Sequence, residues 1–319
     1  MNILIIGGAG FLGANLVRRC LMVPGNRITV LDSLEPQLRS STETLHDVWD
    51  RIRFVRGSMS DEPLIAEMVQ GQDIIFNCAA QTSHPLSLQD PLFDAEINCL
   101  GNLKLLEAVR LMNRKAVVLY TSSSTVIGRA VGEIVDETHG EKPLDIYSAN
   151  KGVAEKYYRI YNRVYDLKTI VLRFANLYGP YGKGFPEFGF VNYFIDLAWN
   201  DQEIKIFGTG EQTRNIMYVE DAVNILFQAA GDERLVGDVF FAAHDEQFTV
   251  SEIAREIIRV FGRGKVTNVE WPDERKRIEI ENVRISSRRL QELTGWRARY
   301  SLKEGLEKTK NILMGREQR

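Results

Sequence analysis

Apolar and polar positions come in blocks over the first 174 residues. The runs "NILII", "RITVLD", "RIRFVRG", "DIIFNCA", "KAVVLYTSS" and "KTIVLRF" are rich in β-branched residues, and several are apolar without strict alternation. That pattern predicts strands covered on both faces, as in a parallel sheet. Between them lie amphipathic stretches. From Asp90 to Met112, Ile97, Leu100, Leu103, Leu106 and Val109 fall at helical spacing and predict one long, well-packed helix. Repetition of strand, helix and strand predicts an α/β fold built on a doubly wound parallel sheet.

After Phe174 the rhythm changes. "ANLYGPYGKGFPEFG" is dense in Gly, Pro and aromatics and reads as an ordered functional loop. Short strands "EIKIF", "RNIMYV" and "DVFFAA" follow, with helices near 220–230, 250–261, 286–293 and 302–312. The expected organisation is a nucleotide-binding domain over 1–174, with 216–242 returning to it. A smaller, mainly substrate-binding lobe is expected over 175–319.

Composition narrows the function classes. Hydrophobic residues make up 44% of the 319 and charged residues 26%, the profile of a soluble globular protein. A net charge of −3 without a basic block gives no support to a nucleic-acid or membrane-surface partner, so an anionic ligand must be met locally. Cys20, Cys78 and Cys99 are scattered and lack a CxxC spacing, which argues against a disulfide framework or a metal site and fits a cytoplasmic setting. The apolar opening "MNILIIGGAGFLG" lacks a basic n-region and is interrupted by glycines, so it reads as a strand entering a tight turn. No apolar stretch reaches the roughly 20 residues needed to cross a bilayer.

Two motifs carry chemistry. "GGAGFLG" sets Gly7, Gly10 and Gly13 between the first strand and a helix, where the backbone can approach a pyrophosphate at the helix N-terminus. Asp32 ends the second strand, placed to accept from the adenosine ribose hydroxyls, and favours NAD over NADP. In "DIYSANKG", Tyr147 and Lys151 are four apart and share a helix face.

The glycine spacing together with YxxxK resembles the extended short-chain dehydrogenase/reductase family, in particular its nucleotide-sugar epimerases and dehydratases. "VLDSL", "NCAA", "EINCLGNLKLLEA", "TSSSTVIG", "LRFANLYGP" and "GTGEQTRNIMYVEDA" extend the resemblance over nearly the whole chain. It implies a Rossmann fold and assigns Ser58 and Met59 to the adenine, Ala79 and Ala80 to the pyrophosphate, and Asn98 to a place behind Lys151. Phe11, Leu12, Ser33, Thr121 and Phe174 join the implied cofactor set. Departures from the family pattern are Ser58 for a common Asp, Ile127 for the tyrosine of the V-Y-G turn, Asp145 and Ile146 for Ser-Pro, and Asn215 for an Asp.

By the same resemblance Tyr147 is the general base, Lys151 its tuning cation and nicotinamide-ribose ligand, and Ser123 the hydroxyl that orients the substrate alcohol, with Ser122 and Ser124 as alternatives. A nearby ammonium and an oxidised nicotinamide both favour the phenolate over its free value of about 10. Dehydratase relatives carry Asp-Glu in the two places after the catalytic hydroxyl; Ser124 and Thr125 stand there instead. Reversible hydride transfer through a keto-sugar is what remains. The implied activity is NAD-dependent inversion of a nucleotide-diphosphate hexose at C4. Inversion at C2, as in CDP-tyvelose epimerase, keto-sugar reduction with exchangeable cofactor, and a catalytically silent nucleotide-binding regulator are the alternatives. Asn176 and Arg214 match diphosphate-contacting positions, a guanidinium fork suiting that group. "QTSHPLS" brings Thr82, Ser83 and His84 toward the sugar, although no partner for His84 is readable. Arg275 and Arg277 add a phosphate contact or belong to a solvated charge run. The family's pairing through helices implies a homodimer using 90–112 and the helix after Tyr147.

Overall fold

The computed structural model describes residues 1–128, 134–272, 282 and 284–317; Arg275 and Arg277 lie outside the described residues. The first part of the chain runs β1 (Asn2–Ile6), α1 (Phe11–Leu21), β2 (Arg27–Asp32), β3 (Ile52–Arg56), α2 (Glu62–Met68), β4 (Ile74–Asn77), α3 (His84–Gln89), α4 (Pro91–Ala95), α5 (Gly101–Met112) and β5 (Val117–Ser123). It continues through β6 (Ile134–Val135), α6 (Ile146–Tyr165), β7 (Lys168–Phe174), β8 (Asn176–Tyr178), α7 (Phe190–Trp199), β9 (Glu203–Phe207), β10 (Thr213–Tyr218) and α8 (Val219–Ala229). Then come β11 (Val239–Ala242), β12 (Gln247–Thr249), α9 (Val250–Phe261), β13 (Lys265–Val269), β14 (Arg284–Ile285), α10 (Arg288–Thr294) and α11 (Leu302–Glu317).

Consecutive apolar residues in the strands serve two different cores. Ile3 and Ile5 of β1 face a cluster shared with α1 and α8, while Leu4 and Ile6 face one shared with α2, α5 and α6. The same split separates Phe76 from Ile75 in β4, and Leu172 from Val171 in β7. Burial on both sides is why these runs lack alternation. The large sheet is parallel throughout, in the order β11-β7-β5-β4-β1-β2-β3. Strand order reverses between β1 and β4, and the crevice beyond the carboxyl ends there is the expected ligand site of a doubly wound sheet. β11 closes the far edge beside β7. β8, β10 and β12 form a small separate sheet, as do β9 with β13 and β6 with β14.

The stretch 91–112 is helical, but not the single uniform helix expected. Glu96–Leu100 forms a π turn between α4 and α5. Its i→i+5 hydrogen bonds add a residue to the turn and shift the apolar phase. Asn98 is thereby turned fully into the core, and Leu100, predicted to pack, is 45% exposed. Among the described residues no helix is long and apolar enough to cross a membrane.

Candidate active site

One cavity of about 1250 Å³ runs from the glycine turn to Arg214. At the end beside the glycine turn, Gly7 has φ +75, and a Cβ there would lie 2.6 Å from the backbone nitrogen of Ala79. A Cβ at Gly13 would lie 2.2 Å from the carbonyl oxygen of Gly7. Only glycine lets β1, β4 and α1 meet this closely. Gly10 is the N-cap of α1 and offers no side-chain cap, so the helix start, with Phe11, Leu12 and Gly13, faces the cavity directly. Uncapped N–H groups of this kind suit a pyrophosphate.

Asp32 is 7% exposed. Burial pushes its carboxyl above the usual range, opposed by N–H donation from Leu34 and Ala9 and by the Lys183 charge. Each carboxylate oxygen accepts one of those N–H groups at 2.9 Å. Ser33, Ser58 and Met59 line the cavity around it, and Ala79 and Ala80 line its middle. These residues fit a dinucleotide: a bare helix start for the phosphates, and a buried carboxylate for the ribose.

Thr121, Ser123, Tyr147, Lys151 and Phe174 meet where β5, α6 and β7 converge. Lys151 is 2% exposed, donates to the carbonyl of Thr121 at 2.7 Å, and has its Nζ 4.3 Å from the centroid of the Tyr120 ring. Burial pushes its pKa down to about 8, with Glu155 pulling the other way. Burial also raises the Tyr147 phenol above its usual value, against the neighbouring Ser123 hydroxyl, while the charge of Asp145 raises it further. The direction is opposite to that expected of a tyrosine tuned by Lys151 alone. A positive charge beside the phenol would act against this rise.

Asn98 does not line the cavity. Its amide donates to the carbonyl of Gln81 at 2.8 Å and to Asp94 at 3.0 Å, in a rank of buried polar groups behind the site. Ser83, expected on the sugar, is 1% exposed and instead caps α3 by accepting from the N–H of Leu86 at 3.2 Å. A Ser immediately before a His-Pro helix start is drawn to that capping role. Thr82, His84 and Ser124 do line the cavity.

His84 acquires the partner that sequence could not supply. Its Nδ1 lies 2.5 Å from Asp145, and its ring meets the Tyr147 ring edge-on at 4.8 Å. The other oxygen of Asp145 caps α6 through the N–H of Ser148 at 2.8 Å. Burial alone would raise this carboxyl, but the hydrogen bond and charge of His84 and the Ser148 contact hold it below its usual value. Thr125, in the place of the dehydratase glutamate, joins Ser123 at 2.8 Å and Ser148 at 3.0 Å in a line of hydroxyls.

Asn176 and Arg214 line the opposite end; the amide of Asn176 donates to the carbonyl of Asn215 at 3.2 Å. Asn215 itself explains its departure from Asp. It donates to the carbonyls of His244 and Glu246 at 3.0 and 3.3 Å, and accepts from the N–H of Ile285 at 2.8 Å. A carboxylate cannot make the first two bonds. Lys183, Phe207 and Trp271 also line the cavity, outside the positions the motifs point to. The loop containing Lys183 carried a compositional signal, but nothing local marked that residue.

The model of the NAD dependent epimerase/dehydratase family matches residues 3–240. This chain belongs to that family. It is 30% identical over 326 residues to the UDP-glucose 4-epimerase of Mycolicibacterium smegmatis, covering 100% of both chains. It is 31% identical over 270 residues to the CDP-paratose 2-epimerase of Salmonella typhi, covering 75% of this chain and 78% of that one. The crystal structure of Thermus thermophilus UDP-glucose 4-epimerase in complex with NAD superposes with a TM-score of 0.87 at 26% identity, covering 99% of each chain. The protein is therefore an NAD-dependent enzyme of the nucleotide-sugar epimerase and dehydratase group.

Proposed function

We propose that this enzyme inverts C4 of a nucleotide-diphosphate hexose through a transient keto-sugar. The observation that carries this reading is the set at the head of α6. Ser123, Tyr147 and Lys151 border one cavity with the dinucleotide cradle, while hydroxyl residues Ser124 and Thr125 stand where elimination needs Asp-Glu. Bound NAD supplies a hydride acceptor and a positively charged ring. Tyr147 takes the proton of the reacting alcohol, and Ser123 holds that alcohol's oxygen by donation. Lys151, anchored on Thr121, stabilises the phenolate by its charge. Arg214 and Asn176 bind the diphosphate, which meets the ligand's charge locally in a protein of net charge −3. His84, held by Asp145, faces a sugar hydroxyl.

The CDP-paratose 2-epimerase relative supports C2 as the alternative position. Both readings are tested by incubating the purified protein with UDP-, dTDP-, CDP- and GDP-hexoses without added cofactor and identifying the recovered sugars. A C4 epimer supports the proposal; a C2 epimer selects the alternative. Leu100 and Leu111 at 45% and 64% exposure lie three turns apart along the π turn and α5, and Ile160 and Val164 at 49% and 60% lie one turn apart on α6. These uncovered apolar residues support a homodimer packed through both helices.

A further inference from the structure

Two loops meet across the adenosine end of the cavity. One follows Asp32 and spans 33–40; the other, 180–188, comes from beyond the large sheet's β7. Lys183 donates its ammonium to the carbonyl of Leu38 and sits over the Phe188 ring at 4.5 Å. Arg39 stacks on the Phe185 ring at 3.7 Å and pairs with Glu187 at 3.8 Å. Lys183 lines the same cavity as Asp32 and Ser33, near enough for the two opposite charges to act on each other. Burial brings its pKa down to about 8, and Asp32 opposes that fall, so the two charges are held in one weakly solvated place.

Backbone strain marks the same loops. Five residues other than glycine have positive φ among the described residues, and three are here: Leu34 at 52°, Arg39 at 50° and Tyr181 at 66°. Large side chains rarely adopt this region, and they keep it only where surrounding contacts enforce it. The enforcing contacts are visible. The N–H of Leu34 donates to Asp32 at 2.9 Å. The Tyr181 ring lies against the Arg18 guanidinium at 3.8 Å and the Arg316 guanidinium at 5.0 Å. Asn15 of α1 donates to the carbonyl of Pro180 at 2.9 Å. The second loop is thus fastened to the helix whose start forms the phosphate cradle.

We propose that these loops form a clasp that holds the adenosine half of NAD, with Lys183 as a cofactor-holding residue contributed from outside the glycine-turn motif. The clasp keeps the dinucleotide bound between turnovers, as an enzyme that restores its own cofactor requires. It rests on NAD binding and is independent of which sugar carbon reacts. The test is the rate at which bound radiolabelled NAD is displaced by excess unlabelled NAD. Lys183→Gln and Arg39→Ala should each release it at least about tenfold faster, since such contacts act mainly on dissociation. Lys183→Arg should stay near the wild-type rate. Circular dichroism and thermal midpoints of the cofactor-free proteins confirm that each variant folds. Wild-type release from both Lys183→Gln and Arg39→Ala overturns the clasp. Faster release from Lys183→Gln with no change in Arg39→Ala also overturns it, reducing Lys183 to a charge partner of Asp32.

Discussion

Replacing Glu155 with alanine is expected to loosen the catalytic helix from the sheet. Glu155 lies one turn beyond Lys151 on α6 and is 2% exposed. Its carboxylate accepts from Arg173 Nε at 2.9 and 3.0 Å, and from the Ser122 hydroxyl beside Ser123. Glu155 therefore ties α6, which carries Tyr147, to the strands that carry Ser123 and Phe174. Alanine leaves the 5%-exposed Arg173 with Glu141, at 3.0 Å, and the charge of Glu137 as its remaining acidic partners among the described residues. Removing one side of a buried ion pair costs about 3–5 kcal/mol, because the remaining charge stays desolvated. At roughly 2 °C per kcal/mol for a chain of this size, the thermal midpoint should fall by about 6–10 °C. Urea unfolding at constant m-value is the assay. The double variant Glu155→Met with Arg173→Met should regain most of the loss, since no charge is left unpaired. NAD retention should weaken in the single variant, because Glu155 also supports the ammonium of Lys151. A loss below about 1 kcal/mol, the scale of an exposed pair, would refute this reasoning.

Asp32→Ala should weaken NAD binding, measured calorimetrically, more than nucleotide-sugar binding, since it removes the proposed ribose acceptor and the acceptor of the Leu34 and Ala9 N–H groups. Lys151→Met should stabilise the cofactor-free fold at pH 7 by about 1–3 kcal/mol, since a shift from 10.5 to about 8 reflects the cost of burying the ammonium. The sign follows from linkage: the unfolded chain holds this proton more tightly, so the cost is full below pH 8 and fades as pH rises toward 10.5. The stability difference between Lys151→Met and wild type should narrow over that window in urea melts. Asp145→Asn keeps the cap of α6, because Asn caps as well as Asp. Loss of its charge should lower the Tyr147 pKa and move the acidic limb of the kcat/KM profile to lower pH.

The strands were legible because burial on both faces writes an unbroken apolar run into each of them. The glycine turn was legible because its spacing is dictated by backbone contact at Gly7 and Gly13. Contacts between distant segments were not. His84 and Asp145 are 61 positions apart, and their pairing depends on α3 docking beside the start of α6. The π turn at Glu96–Leu100 was hidden because apolar residues at 97, 100 and 103 mimic a regular helix until the added residue turns Leu100 outward. Ser83 lies in sequence between two cavity residues, Thr82 and His84, but its hydroxyl is used to cap the helix that starts just after it. The reason for Asn215 lies in three backbone groups 29–70 positions away, the carbonyls of His244 and Glu246 and the N–H of Ile285.

The most direct measurement is the rate of sugar inversion by Tyr147→Phe on whichever nucleotide-diphosphate hexose the wild-type protein inverts without added cofactor. The substitution deletes one oxygen and little volume, so fold and bound NAD should be preserved. Loss of a general base predicts a fall of about 10²–10⁴-fold in turnover, or about 3–5 kcal/mol of transition-state stabilisation. Inversion by Tyr147→Phe at the wild-type rate would contradict the assignment of the reacting proton to Tyr147, and with it the proposed chemistry.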